Sequence, residues 1–279
     1  MSLKARNNGR ARRLRPTALL LVPLALAVAM GRPPEARAGD GEEAGAGWIV
    51  SIGGTLASAP SFPGTSKVGP SFMPSFDIRR ADEPATFSAP DDDFSVSMLS
   101  FGGLSLGPLA SLRDSRPSGA LPGLPGYSSA IELGGFAEFW PIDHVIRTRV
   151  ELRQGVNGGD GLTGTLAMDV VHTMDKFTFA IGPRLNLADA NAMQTEFGVG
   201  AVTAALNPTL PVYEAAAGAK SAGLAGSVSY EVSPEWTASM FGGYDRLVGS
   251  AAASPITKRL DGTNQITVGV GFERAFQFP

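Results

Sequence analysis

Thr267-Val268-Gly269-Val270-Gly271-Phe272-Glu273-Arg274-Ala275-Phe276-Gln277-Phe278 closes this chain one residue before its end. Val268, Val270, Phe272, Phe276 and Phe278 share one parity, broken once by Arg274. Thr267, Gly269, Gly271, Glu273 and Gln277 share the other. Successive strand residues face opposite sides, so this stretch predicts a strand with one apolar and one polar face. The same alternation recurs upstream. In 176–187, Phe177, Phe179, Ile181, Pro183, Leu185 and Leu187 alternate with Lys176, Thr178, Ala180, Gly182, Arg184 and Asn186. In 144–153, Ile146, Thr148, Val150 and Leu152 alternate with Arg147, Arg149, Glu151 and Arg153. A helix would need apolar residues at spacings of three and four, a pattern that neither 176–187 nor 144–153 has.

The N-terminus supplies the cellular context. Lys4, Arg6, Arg10, Arg12, Arg13 and Arg15 precede an apolar run, 17–30, and an Ala36-Arg37-Ala38 cleavage pattern. Together these predict a secretory signal peptide over 1–38. The apolar run spans about 14 residues, short of the roughly 20 that a membrane-crossing helix requires. Of the 23 Lys and Arg, eight lie within these 38 residues, against one of the 26 acidic residues, Glu35. The remainder holds 15 basic and 25 acidic residues, a net charge of −10, which argues against nucleic acid as a partner. With no cysteine, neither a disulfide framework nor a thiol site is possible.

No later stretch is apolar enough to cross a bilayer as a helix. A membrane-integral mature chain must therefore be a closed barrel, in which every backbone group pairs internally. The expected fold is all-β: a closed antiparallel transmembrane β-barrel of twelve strands, with ten as the alternative. It follows a signal peptide (1–38) and a short periplasmic segment (39–47), and fills 48–279. The strands are read as 48–58, 70–79, 84–89, 94–101, 103–112, 129–140, 144–153, 162–173, 176–187, 221–232, 235–247 and 263–278. Short turns at 81–83, 101–102, 141–143, 174–175 and 233–234 then fall on the periplasmic side. The longer segments 59–69, 113–128, 155–161, 188–220 and 248–262 fall outside, as such barrels arrange them. Asp91-Asp92-Asp93 becomes the tip of a short outer loop, a solvated tip in preference to a calcium site. Within 188–220, residues 199–205 suit a short helix.

Trp48, Trp140 and Trp236 all fall at the periplasmic rim, where an aromatic girdle is expected. Arg147, Arg149, Glu151, Arg153, Arg184, Glu132 and Glu138 have the lumen-facing parity and are the candidate lining of a polar interior. Twelve strands lie between side-chain-filled barrels and open porins, so the strand number leaves closed and conducting lumens both open. Gly103-Leu104-Ser105-Leu106-Gly107 matches a nucleophile-elbow pattern, but no helix pattern follows it. The two histidines, His144 and His172, are not placed to serve Ser105. No catalytic residue, cofactor or metal site is expected.

Several segments resemble one family. Ala130-Ile131-Glu132-Leu133-Gly134-Gly135-Phe136-Ala137-Glu138, Met193-Gln194-Thr195-Glu196-Phe197-Gly198-Val199 and Leu210-Pro211-Val212-Tyr213-Glu214-Ala215-Ala216-Ala217-Gly218 are three of them. Trp236 with Gly243-Tyr244-Asp245-Arg246-Leu247-Val248-Gly249, then Ala253-Ser254-Pro255-Ile256, complete the ordered set. In order and spacing, from about residue 48 onward, they resemble the MipA/OmpV family, the MltA-interacting proteins of Gram-negative outer membranes. Glu196 stands where the family usually has an aromatic. The first loop, Ala59-Pro60-Ser61-Phe62-Pro63-Gly64, lacks the family's acidic residue and tyrosine. The resemblance implies a non-enzymatic outer-membrane barrel that meets lipid and lipopolysaccharide. It also implies a scaffold for peptidoglycan enzymes, bridging a lytic transglycosylase and a peptidoglycan synthase; a narrow channel or an adhesive surface protein is the alternative. Phe272, Phe276 and Phe278 resemble the C-terminal signal read by the barrel-assembly machinery.

Overall fold

The computed structural model describes residues 47–81, 87–156 and 161–279. The expected signal peptide and most of segment 39–47 lie outside the described residues. Among those described, no helix is long and apolar enough to cross a membrane.

The described residues form one antiparallel sheet of twelve strands. They are β1 (Trp48–Pro60), β2 (Val68–Arg80), β3 (Phe94–Ser95), β4 (Leu99–Phe101), β5 (Leu104–Arg113), β6 (Ala130–Ile142), β7 (Ile146–Gly155), β8 (Leu162–Met174), β9 (Phe177–Ala188), β10 (Gly218–Ser233), β11 (Trp236–Leu247) and β12 (Asn264–Phe278). Among the described residues, four short helices sit in the loops: α1 (Ala190–Phe197), α2 (Ala201–Leu206), α3 (Gly249–Ala253) and α4 (Pro255–Arg259). The paired order is β2-β1-β12-β11-β10-β9-β8-β7-β6-β5-β3, with β4 also on β5. The last strand closes on the first, Trp48 opposite Phe278 and Ser58 opposite Val268. The sheet curls into a nearly closed barrel whose path ends at β2 and β3. Across that seam the rings of Phe76 and Phe94 stand 5.5 Å apart.

Twelve strands were expected, but not these twelve. β3 pairs with Leu109 and Ala110, and β4 with Leu104 to Leu106. Both therefore lie along one line of β5 and share one place in the wall, where a continuous strand 94–101 was expected. Of the expected strand 84–89, residues 82–86 lie outside the described residues, and 87–89 are not strand. β2 ends at the barrel end that holds the chain terminus, since Arg80 lies opposite Trp48. β3 begins well toward the other end. The up-and-down alternation is therefore restored without a wall strand among the described residues, because residues 89–93, just before β3, lie inside the barrel. His144, placed by the sequence at the start of a strand, sits in the β6–β7 turn with φ +57°, and Asp175 does the same between β8 and β9 with φ +51°.

The wall is apolar outside and polar inside. Ile52, Leu56, Phe72, Ile181, Val268 and Phe272 are all more than half exposed on the outer face. A soluble protein does not tolerate such a band, whereas hydrocarbon accepts it at no cost. The inner face holds the buried charges Glu132, Glu138, Arg147, Arg149, Glu151, Asp169 and Arg184.

Gly182 shows how close the packing is. Pairing of β8 with β9 is interrupted between Ala167–Arg184 and Val170–Ile181. The freed Met168 carbonyl there accepts from Arg184 Nη1 at 3.2 Å. A Cβ at Gly182 would lie 1.5 Å from that oxygen. Gly182→Val is expected to destabilise the barrel by about 1–3 kcal/mol through overpacking. Gly243, with nothing within 4 Å of an added Cβ, should accept alanine at a cost below about 0.5 kcal/mol. The temperature at which each variant loses its compact mobility on an SDS gel reads the difference; equal melting would refute the packing argument.

Candidate functional site: a filled lumen beneath a cap of loops

Alternation along β7 puts Arg147, Arg149, Glu151 and Arg153 on one inward row. Antiparallel pairing sets Glu138 of β6 opposite Arg149. Arg149 reaches Glu138 at 3.2 Å and Glu151 at 2.8 Å, while Arg147 reaches Glu138 at 3.3 Å and Asp169 of β8 at 3.7 Å. Arg184 of β9 joins through Asp169 at 2.8 Å. The Arg149 guanidinium also stacks 4.1 Å from the ring centroid of inward-facing Phe136. Six of the seven candidate lumen residues thus meet in one network. The seventh, Glu132, is apart: it lies 3.7 Å from Arg113 and accepts from the Thr163 hydroxyl at 3.3 Å.

The rest of the network comes from Asp91-Asp92-Asp93, which is not a solvated loop tip. Residues 89–92 form a tight turn inside the barrel, with Asp92 N–H donating to the Ala89 carbonyl at 2.9 Å. Asp92 Oδ2 accepts from the Ala89 N–H at 2.9 Å, which holds the turn rigid. Each aspartate meets an arginine. Arg184 grips Asp91 with Nε at 2.7 Å and Nη2 at 3.1 Å. Arg147 Nη2 donates to both oxygens of Asp92 at 2.6 Å. Arg153 Nη1 donates to Asp93. Such two-pronged guanidinium–carboxylate pairs are the strongest hydrogen bonds available to side chains. The cavity left between the turn and β8–β11, lined by Asp91, Asp169, Arg184 and Phe241 among others, has a volume of about 10 Å³, about the space of one water. On this side of the lumen the turn leaves little open space.

The end of the barrel away from the termini carries a cap. The first β1–β2 loop is stitched to the β11–β12 loop: the Ser66 N–H donates to the Leu260 carbonyl at 3.1 Å, and Thr65 bridges Asp261. Arg116, in the β5–β6 loop, donates from Nη1 to the Glu196 carbonyl at 2.7 Å. Asn207 donates to the Pro122 carbonyl at 2.9 Å. Inside, Ala192, Met193 and Phe197 of α1 pack with Leu247 and Ala251, and Leu124, Val199, Leu210 and Ile256 form a second cluster. Polar side chains close the helix ends. Asp189 caps α1 through the Ala192 N–H at 2.8 Å. The Ser254 hydroxyl donates to the Phe197 carbonyl at 2.7 Å while its oxygen caps α4. Tyr127 lies under the Arg116 guanidinium, 4.7 Å from its ring centroid. Burial, aided by the Glu196 carboxylate, pushes the Tyr127 hydroxyl well above its ordinary pKa.

The helix expected over 199–205 is α2. The other three helices were not foreseen, although Asp189 before Ala190 was a legible N-cap. Arg113, beside Glu132, and Arg116, in the cap, were missed; so were Asp169 and Asp91 to Asp93 as members of the network. Their signal was indirect: four arginines facing one lumen require counter-charge, and 91–93 is the densest run of acidic residues in the chain.

The rim residues separate by face. Trp48, Trp236, Phe272 and Phe278 face outward and are exposed. Arg274 breaks the apolar row but lies between Trp236 and Phe276, 5.4 and 4.7 Å from their ring centroids. Trp140 is at the same end but half-buried, and its indole N–H donates to Glu138 at 3.0 Å. The Ser105 hydroxyl lies 3.1 Å from that of Ser100, and exposed His144 lies 3.4 Å from Asp143.

Solved structures with similar traces include an outer-membrane channel from Pseudomonas putida, 12% identical over 87% of this chain and 100% of that chain, TM-score 0.40. A monoaromatic hydrocarbon channel, CymD, is 11% identical over 83% and 89%, TM-score 0.31. Neisserial surface protein A is 10% identical over 82% and 97%, TM-score 0.27. No curated protein sequence matches the chain significantly. The family model for MltA-interacting protein MipA matches residues 52–276. Nearly all of the barrel and the whole of the cap fall inside that match, and the chain belongs to the MipA family.

Proposed function

We propose that this protein is a non-enzymatic outer-membrane barrel, closed to solutes, that serves as an interaction protein for peptidoglycan enzymes. The observation that carries the closed reading is the Asp91–Asp93 turn seated in its arginines, with about 10 Å³ left beside it. The family's name, MltA-interacting protein, supports a lytic transglycosylase as partner, and a peptidoglycan synthase is the second partner of such a scaffold. In this reading a signal peptide over 1–38 exports the chain. The barrel-assembly machinery recognises Phe272, Phe276 and Phe278, and Trp48 and Trp236 anchor the wall at the periplasmic interface. The cap then faces the lipopolysaccharide side, and the partner surface is the ring of short turns around Asp143, Asp175 and Pro234.

Two measurements test it. Purified, refolded protein in a planar bilayer should give no conductance steps, and steps from an unaltered folded barrel would remove the closed reading. Under mild detergent the protein should co-purify a murein hydrolase from its own envelope; repeated failure to recover one would remove the scaffold reading and leave a closed, adhesive surface barrel.

A further inference from the structure

We propose that the arginine cluster of the lumen is an anion-binding site, occupied here by the chain's own Asp91–Asp93 turn, and that displacing this turn opens the barrel to small multivalent anions bearing carboxylate or phosphate groups.

Three observations carry it. The first is how the turn is held. Its contacts with the wall are made by the carboxylates of Asp91, Asp92 and Asp93 on Arg184, Arg147 and Arg153. Of the backbone N–H groups of 88–93, among the described residues, only that of Asp93 reaches the wall, at 3.4 Å from Glu151 Oε1. Backbone pairing with the wall begins beyond the turn, where the Val96 N–H donates to the Pro108 carbonyl at 3.2 Å. The turn is therefore attached as a ligand is, through charged side chains, and not as a strand is.

The second is charge. The wall supplies four guanidiniums, of Arg147, Arg149, Arg153 and Arg184, and three carboxylates, of Glu138, Glu151 and Asp169. The wall alone is net positive by one. The turn adds three carboxylates and makes the cluster net negative by two. Neutralising the wall needs one carboxylate, so the turn brings more negative charge than the wall alone requires, and the carboxylates repel one another beside their arginines.

The third is unused capacity. Arg147 is fully buried, yet among the described residues its Nη1 has no hydrogen-bond partner and neither does Arg153 Nε; Arg147 Nε meets Glu138 only as an ion pair at 3.3 Å. Buried guanidinium donors are costly to leave unpaired. A free anion whose oxygens reach those donors satisfies them. The site keeps the geometry that suits such anions, planar forks converging from two strands.

The test is conductance of the full, folded protein in planar bilayers. The unaltered barrel should be silent. Asp91→Asn/Asp92→Asn/Asp93→Asn, with folding confirmed by heat-modifiable gel mobility, should conduct, prefer anions, and be blocked by citrate in the millimolar range. Millimolar citrate should not open the unaltered barrel, because a tethered turn competes at an effective concentration of at least that order. If the triple variant does not fold, Asp91→Asn alone serves, since that carboxylate is the most exposed of the three; it should give brief anion-selective openings where the unaltered barrel gives none. Adding Arg147→Gln and Arg184→Gln to a conducting variant should abolish citrate block while leaving conductance. A folded turn variant that stays silent overturns the proposal, and so does one that conducts without anion preference or citrate block. Conductance by the unaltered barrel equal to that of the variant would show that the turn does not close the lumen. Silence of the unaltered protein reads the closed-barrel proposal separately.

Discussion

Arg147→Ala should destabilise the folded barrel by about 3–5 kcal/mol, the cost of removing one partner from a buried charge network. Arg147 is fully buried and neutralises Asp92, Glu138 and Asp169 from one position. Without it three carboxylates share a space from which water is largely excluded, and neither neighbouring arginine can reach all of them. The effect should appear as a large drop in the temperature at which the barrel loses compact mobility in SDS. Arg246→Ala is the matched control. Arg246 faces outward at the rim, with an exposed hydrogen bond to Asn264 at 3.2 Å, and its loss should cost less than about 1 kcal/mol. If the two variants melt together, the network is not what holds the interior. Arg147→Met should be milder than Arg147→Ala only if volume rather than charge matters, so the pair also separates packing from electrostatics.

Phe197→Ala should release the cap and leave the barrel standing. Phe197 is fully buried between α1 and α3. It also touches the first loop, since Gly64, at φ +87°, places its backbone where an added Cβ would lie 3.3 Å from the Phe197 ring. Truncating such a ring costs about 3–5 kcal/mol in a well-packed core. The cap holds few residues and is stitched by scattered hydrogen bonds such as those of Arg116 to the Thr195 and Glu196 carbonyls, so this loss is large against its local stability. Limited proteolysis should then cut within 190–260, while gel mobility of the barrel remains heat-modifiable. Resistance to protease equal to that of the unaltered protein would mean that the cap is held from below, by the strands, and not by its own core.

These two outcomes divide along the line between what is legible in the sequence and what is not. Strand parity is legible from β6 through β9 and in β12, because period-two alternation is a local property that depends on one residue and its next neighbours. That alternation by itself assigns Arg147, Arg149, Glu151 and Arg153 to one face of β7 and Arg184 to the matching face of β9. The cap motifs around Met193 to Val199 and Ala253 to Ile256 are recognisable as family segments. Their physical reason is not. Gln194 accepts from the Ala215 N–H at 2.9 Å, and Ser254 binds the Phe197 carbonyl across 57 residues. Such pairings connect loops that no periodicity relates.

The interior turn is the sharpest case. Pro90 and three consecutive aspartates read locally as a solvated tip, and local chemistry offers no better reading. Alternation along the strands determined an antiparallel wall, greasy outside and charged within, from the residues alone. Whether that wall is sealed by twelve strands, or by eleven places and a chain threaded through the middle, depended on where Asp91, Asp92 and Asp93 found their counter-charges. Four strands, β6 to β9, had first to bring Arg147, Arg153 and Arg184 to one side of one lumen. Only the tertiary structure creates the poorly hydrated space in which those charges must pair, so only it could decide where the acidic run sits.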